Sequence, residues 1–381
     1  MKRWHLLLTI SILIVAYFFA WHLTPTTVIN MLVVDKTVPD ETYREHCAIF
    51  WIANHYRMVG PDSNFLQFDQ DYLGFHPKDN RKEVLTTDHL SEVNILYLAD
   101  TYGIYNYPEG LETYEINLPY VHQDIELIYG GISAEEAEVI ALFAQNPENV
   151  IIGEHNILGY PTYLEPEAVN ILENVFAVHY SGWLTRYYSE LDEAAYWIKE
   201  LYSRIYGLEW NLKGPGMVFI REDATDRNWY TDLVIITQDD FSAPWPVIRH
   251  DSSAKLLDGA AREIPYLYWI EILTVSDEAQ VLAHYELPIK EETREPLRVR
   301  GLPDSFPAVV YFTPPNEAKR IYFAGDFADQ LPAIFKANLT GSAALQRALT
   351  YMPGVPVEYR FFFQWYAPVM RNILADKAIT D

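Results

Sequence analysis

The sequence predicts an α/β fold with a doubly wound parallel sheet, a β-rich insertion and one transmembrane helix before the sheet. Two observations indicate the sheet. Short runs of β-branched and aromatic residues are bounded by turn formers, and helical stretches separate these runs along the chain. Such alternation is typical of buried parallel strands joined by helices. The four predicted core strands span residues 30–35, 94–99, 149–152 and 320–324.

The first 25 residues indicate a membrane anchor. Lys2 and Arg3 precede residues 4–23, which are apolar apart from two histidines and a few hydroxyl groups. About 20 apolar residues span a bilayer, and positive charge before the span favours a cytoplasmic N-terminus. The alternative is a cleaved signal peptide, but residues 17–22 lack the small-x-small pattern of a cleavage site. We therefore expect an uncleaved single-pass anchor, with the remaining domain extracytoplasmic.

The elements after the anchor alternate as a doubly wound domain requires. A helix over residues 39–59 follows the first strand. A capping box formed by Ser133 and Glu136 begins the next helix, and a further helix covers residues 166–175. Between the first two strands, residues 60–90 are polar, rich in turns and long enough to indicate a lid or another functional loop.

The second half of the chain changes in character. Residues 180–212 carry Trp and Tyr at spacings of four, which predicts two helices packed on the sheet; a sugar-stacking or membrane-facing surface is the alternative. From residue 213, short apolar runs separated by Pro and Gly predict a β-rich region, and residues 359–374 predict a closing helix. The expected boundaries are 1–25 for the anchor, 26–212 for the core, 213–318 for the insertion and 319–381 for the final strand and helix.

Composition excludes several classes of function. The chain has 53 acidic and 28 basic residues and a net charge of −25, which opposes binding to the phosphate backbone of a nucleic acid. Cys47 is the single cysteine, so a disulfide framework and a cysteine-rich zinc site are excluded. The sequence contains no phosphate loop or dinucleotide-binding motif, and we predict no cofactor.

We expect the functional site at the carboxyl ends of the predicted parallel strands, where open α/β sheets bind ligands. Glu154, His155 and Asp100 are the candidate catalytic residues. Two carboxylates there would act as acid and base, as in glycoside hydrolases, and the histidine would be a general base. The alternative is that these side chains cap helices and hydrogen-bond neighbouring loops. The candidate ligand-binding residues are Asp35, Tyr102, Asn156, Asp326 and Asp329.

The remaining patterns predict neither a metal site nor a serine nucleophile. His122 and Asp124 are two residues apart and would point the same way on an extended segment, but their spacing supplies no third metal ligand. The sequence also lacks the G-x-S-x-G motif of serine hydrolases.

Four passages resemble the class I glutamine amidotransferase-like superfamily, whose domains have flavodoxin-like folds. They are residues 98–103, 130–143, 149–153 and 320–327. Active members need a cysteine at the turn after the strand that corresponds to 149–153, because a thiolate attacks the amide. Here that turn is Gly153-Glu154-His155-Asn156. The resemblance therefore implies a flavodoxin-like fold and a degenerate member without glutaminase activity.

The chain is also similar to membrane-anchored bacterial proteins of unassigned function that are associated with envelope polysaccharides. We accordingly expect a protein of the bacterial cell membrane that binds a glycan or another envelope component. The competing function is a glycosidase- or esterase-type hydrolase that uses the strand-end carboxylates. A third is a structural docking subunit of an envelope complex. A hydrolase requires paired carboxylates in an open pocket, whereas a binding module requires aromatic rings along the crevice.

Overall fold

The computed structural model describes residues 2–106, 126–222, 230–251, 253–329 and 337–376. The helices are α1 (Lys2–Phe19), α2 (Arg44–His55), α3 (Ala134–Phe143), α4 (Pro166–Phe176), α5 (Tyr196–Tyr206), α6 (Glu291–Val299), α7 (Ser342–Leu349), α8 (Val357–Phe361) and α9 (Ala367–Asp376). The strands are β1 (Thr27–Val28), β2 (Met31–Asp35), β3 (Met58–Val59), β4 (Tyr72–His76), β5 (Arg81–Lys82), β6 (Ile95–Leu98), β7 (Ile104–Asn106), β8 (Glu126–Tyr129), β9 (Val150–Gly153), β10 (Val178–Tyr188), β11 (Gly216–Glu222), β12 (Tyr230–Thr237), β13 (Val247–Arg249), β14 (Glu263–Pro265), β15 (Trp269–Val275), β16 (Gln280–Glu286), β17 (Ser305–Phe312) and β18 (Lys319–Phe323).

The main sheet is mixed, so the predicted doubly wound parallel sheet is wrong. Its strands lie in the order β14-β13-β16-β17-β18-β9-β6-β2-β4-β5. The central strands β18, β9, β6, β2 and β4 are parallel, and the pairs on either side of them are antiparallel. Strands joined by short turns pair antiparallel, because a parallel pair needs a crossover of a dozen or more residues. The short connection between β17 and β18 therefore extends the core sheet with strands that the sequence assigned to an insertion.

A second, four-stranded antiparallel sheet has the order β12-β11-β10-β15. Its strand β10 covers Val178–Tyr188, where the sequence predicted a helix. A spacing of four places two residues on one face of a strand as well as of a helix, so the pair Trp183 and Tyr187 does not distinguish the two. Both rings are buried in this strand. The second predicted helix of this region is present as α5.

No helix in the described ranges is long and apolar enough to cross a bilayer, so the predicted transmembrane anchor and the localisation derived from it are wrong. The apolar stretch at residues 4–23 does not form one helix. The α-helix ends at Phe19, and a 3-10 turn follows. Trp21 in that turn is buried, and its indole N–H donates to the carbonyl of His55 at 2.9 Å. The guanidinium of Arg57 lies 4.5 Å from the same ring, so Trp21 packs within the domain.

The excursion at residues 60–90, predicted to be a lid or another functional loop, contributes in part to the main sheet. It contains β4, which pairs in parallel with β2 inside the main sheet. All five residues of β4 are buried. The polar edge strand β5 then closes this end of the sheet. Part of the excursion is therefore core structure.

Helix packing, a capping box and a buried ion pair fix the helices beside the carboxyl ends of the parallel strands. The α2 helix follows β2 and contacts α9, while α3 and α4 pack on each other. The predicted capping box is confirmed at α3: the backbone N–H of Glu136 donates to the Ser133 hydroxyl, and its carboxylate accepts from the Ser133 N–H. The same carboxylate forms a buried ion pair with Lys36, which follows β2, at 2.6 Å. This pair fixes the start of α3 beside the end of β2.

Candidate functional site

Asp35 ends β2 and is fully buried. Its carboxylate lies 2.5 Å from Nδ1 of His46 and accepts the backbone N–H of Thr37 at 2.8 Å. The other ring nitrogen of His46 faces the carbonyl of Phe68 at 2.7 Å. Burial raises the pKa of Asp35, and its interaction with His46 opposes that rise. These contacts hold Asp35 between β2, α2 and the 60–90 segment.

Asp100 follows β6 and interacts with the turn after β9. Its carboxylate accepts the backbone N–H of Tyr102 at 2.7 Å and lies 3.5 Å from the side-chain amide of Asn156. Asn156 has a left-handed backbone, with φ of 66°, and its carbonyl accepts the hydroxyl of Thr101 at 2.6 Å. Burial raises the pKa of Asp100 to about 7. The structure thus brings Asp100, Tyr102 and Asn156 together at one strand-end edge.

Glu154 follows β9 and is directed at the backbone of the turn after β18. Its carboxylate accepts the backbone N–H groups of Phe327 and Ala328 and the hydroxyl of Tyr97. The side chain is buried, and this burial raises its pKa to about 8. Its hydrogen-bond partners are therefore two backbone N–H groups and one buried hydroxyl group.

His155 is buried beside Glu154. Burial lowers its pKa to about 3, so its imidazole is neutral near pH 7. Its Nδ1 atom has no hydrogen-bond partner in the structure. A histidine general base needs an orienting carboxylate, and none of the described residues supplies one to this ring.

Asp326 and Asp329 follow β18 and meet Glu45, which the sequence did not indicate. One carboxylate oxygen from each of these three residues lies within 4.8 Å of the other two. We call this group the carboxylate cluster. Burial and the neighbouring carboxylates raise the pKa of Glu45 and of Asp326. The sequence feature that could have indicated Glu45 is its position near the start of the helix that follows β2.

Arg44 and Tyr268 border the carboxylate cluster. The Arg44 guanidinium lies 2.9 Å from Glu45 and 3.4 Å from Asp329. The hydroxyl of Tyr268 donates to the Asp329 carboxylate at 2.7 Å. Arg44, Tyr268 and Asp329 also line a cavity of about 510 Å³ that continues from the cluster. The cluster therefore lies at one wall of a cavity large enough for a small ligand.

The four-stranded sheet and α8 supply other walls of this cavity. The guanidinium of Arg186, in β10, lies 4.4 Å from the Tyr268 ring and 5.0 Å from the Tyr188 ring. Such stacking holds an arginine in place through cation–π attraction. Among the described residues no carboxylate forms an ion pair with Arg186, and its Nε–H has no acceptor. The other lining residues include Tyr187, Ser189, Glu193, Glu358, Tyr359 and Phe362.

Cys47 lies in α2 and is partly buried. Burial raises the pKa of its thiol to about 12. Thiolate chemistry at neutral pH requires a lowered thiol pKa, so this cysteine is not an activated nucleophile.

A second pair of buried carboxyl groups, Glu222 and Glu271, lies beneath the loop that follows β9. Glu222 accepts the hydroxyl of Tyr180 at 2.9 Å, and Glu271 accepts that of Tyr322 at 2.6 Å. Burial raises their pKa values to about 7 and about 8, respectively. No sequence signal marked these residues, because each lies within an apolar strand.

We predict that these two groups make the protein less stable as pH rises from about 5 to about 8. In this interval the folded protein retains protons that the unfolded chain has released, since the ordinary pKa is 4.5. Each retained proton lowers the free energy of unfolding by up to about 1.4 kcal/mol per pH unit. Replacing both Glu222 and Glu271 by glutamine should flatten this decline in urea denaturation at about pH 5.5, 6.5 and 7.5. The exposed Glu138→Gln is the control, and an unchanged slope in the double variant would contradict the prediction.

Comparison with known proteins assigns no activity to the chain. No family model and no curated protein matches it. A solved structure described as a cytoplasmic protein, STM3548, from Salmonella typhimurium is similar over 93% of this chain and 100% of its own, with 12% identity and a TM-score of 0.39. A TM-score at this level supports no argument about function. His122 and Asp124, weighed above as metal ligands, lie outside the described residues.

Proposed function

We propose that the chain binds a saccharide that carries a carboxylate or another anionic group, in the cavity between Arg186 and Asp329, and that it has no glutaminase activity. The observation that carries this proposal is the Arg186 side chain. It lines the cavity, lies against the rings of Tyr188, Tyr268 and Trp269, and forms no ion pair with a described residue. A guanidinium in this setting is well suited to a carboxylate or phosphate group.

The other walls favour a sugar ring as the body of the ligand. Tyr268, Tyr359 and Phe362 provide aromatic surface, and Ser189 and Glu193 provide hydrogen-bonding groups. Pockets for small ligands combine apolar and aromatic walls with a few polar groups, in volumes of about 300–1,000 Å³. The cavity of about 510 Å³ fits this description. These features support the glycan-binding interpretation over the docking-subunit one.

The hydrolase alternative would use the carboxylate cluster at the cavity wall. Oxygen atoms of Glu45, Asp326 and Asp329 lie within 4.8 Å of one another. The paired carboxyl groups of glycoside hydrolases are about 5–10 Å apart, so these oxygens are closer together than a usual catalytic pair. The candidate that the sequence favoured, Glu154, instead hydrogen-bonds the backbone, which weighs against its catalytic role. Hydrolysis would release new reducing ends, so a binding screen that also measures reducing ends separates the two functions.

Arg186→Ala is expected to weaken binding of an acidic oligosaccharide at least tenfold, a change of about 1.4 kcal/mol in binding free energy. The measurement is calorimetric titration of the full-length protein with uronic-acid oligosaccharides and with neutral oligosaccharides of equal length. Arg221→Ala is the matched control, because Arg221 lies on the same sheet and over the Trp183 ring but does not line the cavity. Equal affinity for acidic and neutral sugars, or unchanged binding by the Arg186 variant, would refute the proposal.

A further inference from the structure

We propose that Glu45, Asp326 and Asp329 bind a divalent cation, with Ca²⁺ as the best-fitting ion, at the strand-end edge of the main sheet. This inference is independent of the saccharide. Two observations carry it: the geometry of the carboxylate cluster, and the unpartnered side chain of Asp326.

The geometry of the carboxylate cluster suits an oxygen-liganded ion. One oxygen from each residue lies within 4.8 Å of the other two. Ca²⁺ binds carboxylate oxygens at about 2.3–2.6 Å, so ligands on opposite sides of the ion are about 4.6–5.2 Å apart. For Mg²⁺ the corresponding separation is about 4.0–4.2 Å. Separations of up to 4.8 Å match oxygens on opposite sides of a Ca²⁺ ion and exceed those around Mg²⁺, so a single Ca²⁺ ion can contact all three residues.

The carboxylate of Asp326 has no partner among the described residues. The residue is only 8% exposed, yet none of the described residues donates a hydrogen bond to its carboxylate. The buried carboxylates of Asp35, Asp100 and Glu154 each accept at least one backbone N–H. A buried carboxylate without a donor is costly unless a cation or a proton compensates it. The Asp326 carboxylate faces those of Glu45 and Asp329, so the ion would lie in the space between the three carboxylates.

The charge of the carboxylate cluster matches a divalent ion. Among the described residues, Arg44 contacts the cluster with its guanidinium, at 2.9 Å from Glu45 and 3.4 Å from Asp329. Three carboxylates and one guanidinium leave two negative charges when all are ionised. A divalent cation would neutralise this excess.

The cluster is held by groups that are already ordered. Glu45 lies in the first turn of α2, and the turn from Asp326 to Asp329 is fixed by hydrogen bonds from Phe327 and Ala328 to Glu154. Asp329 also borders the cavity, where water or a ligand oxygen can complete the coordination sphere. Ligands fixed in advance by a supporting layer of hydrogen bonds favour tight metal binding.

The test is titration of the chelator-treated, full-length protein with Ca²⁺ alone, by calorimetry, with Mg²⁺ and Mn²⁺ in parallel. We expect a Kd for Ca²⁺ below about 1 mM, the weak limit of protein calcium sites. We also expect the Tm to rise with Ca²⁺ concentration, because a ligand of the native state stabilises it by mass action. NaCl at matched ionic strength controls for screening of the acidic surface.

Asp326→Asn and Asp329→Asn are each expected to weaken Ca²⁺ binding at least tenfold. In chelator, Asp326→Asn should keep or raise the Tm, because it removes an uncompensated buried charge; loss of ion binding then does not reflect unfolding. Glu138→Gln, an exposed carboxylate on α3, should bind Ca²⁺ like the unmodified protein. Failure of all three ions to bind below about 1 mM, or unchanged affinity in both aspartate variants, would overturn the site.

Discussion

Gly74→Ala is expected to lower the free energy of unfolding by about 4 kcal/mol or more, in the range of the most disruptive single substitutions. Gly74 lies in β4, where this strand pairs with β2. A Cβ atom at position 74 would lie 2.6 Å from the carbonyl carbon of Asp35 and closer still to its oxygen. Both obstructing atoms belong to the backbone of a buried strand, so a side-chain rotation cannot relieve the collision.

Gly354→Ala is the matched control for this substitution. Gly354 has a left-handed backbone, with φ of 80°, but a Cβ there would meet no heavy atom within 4 Å. We expect a loss of about 1 kcal/mol, the ordinary strain of a non-glycine residue in this conformation. Urea denaturation followed by circular dichroism measures both variants. Equal stability of the two variants would contradict the prediction, because it would mean that β4 can move away from β2 with little loss of free energy.

The parallel core was predictable because its strands are buried on both faces. The sequence placed strands at 30–35, 94–99, 149–152 and 320–324, and the structure has Met31–Asp35, Ile95–Leu98, Val150–Gly153 and Lys319–Phe323. Continuous apolar runs between turn formers carry this signal without reference to distant contacts. The strand β4 was not predicted, because Gly74 interrupts its apolar pattern. A glycine is needed at this position because the backbone of Asp35 lies too close for a Cβ atom.

The antiparallel half of the fold was harder to predict, because pairing partners are set by tertiary structure. The spacing of Trp183 and Tyr187 fits a strand as well as a helix, and the structure selects the strand by pairing β10 with β11 and β15. The apolar N-terminal stretch had the composition of a bilayer span, yet burial of Trp21 beneath Arg57 depends on residues far along the chain. Neither outcome is encoded in local periodicity.

The sequence predicted which polar residues lie at the strand ends, but not what each side chain contacts. Asp100 and Asn156 contact each other at the strand ends, and Asp326 and Asp329 belong to one cluster. Glu45 was missed because its approach depends on how α2 packs. Arg186 was missed because the sequence predicts a helix where the structure has β10. A strand-end carboxylate contacts atoms in the loops of neighbouring strands, and the sequence does not predict those contacts. Glu154 is the clearest case, because it accepts the N–H groups of the turn after β18.

Glu154→Ala is expected to lower the free energy of unfolding by about 4 kcal/mol or more. The substitution removes the acceptor of two buried backbone N–H groups, at Phe327 and Ala328, and leaves a space beside Tyr97. Each buried donor left without a partner costs about 1–3 kcal/mol, and the space adds to this loss. Since the same turn carries Asp326 and Asp329, this variant should also lose whatever binds at the carboxylate cluster.

Glu154→Gln separates this structural role from catalysis. The amide oxygen can accept both N–H groups, and the amide N–H can donate to the Tyr97 hydroxyl, which lies 2.8 Å from the Tyr366 hydroxyl. With a pKa of about 8, Glu154 is largely protonated at neutral pH, and glutamine resembles that form. We therefore expect a change within about 1 kcal/mol and unaltered ligand binding, measured by denaturation and calorimetry. A stable glutamine variant that loses turnover of a bound saccharide would instead make Glu154 the catalytic acid, because only proton transfer distinguishes the two side chains.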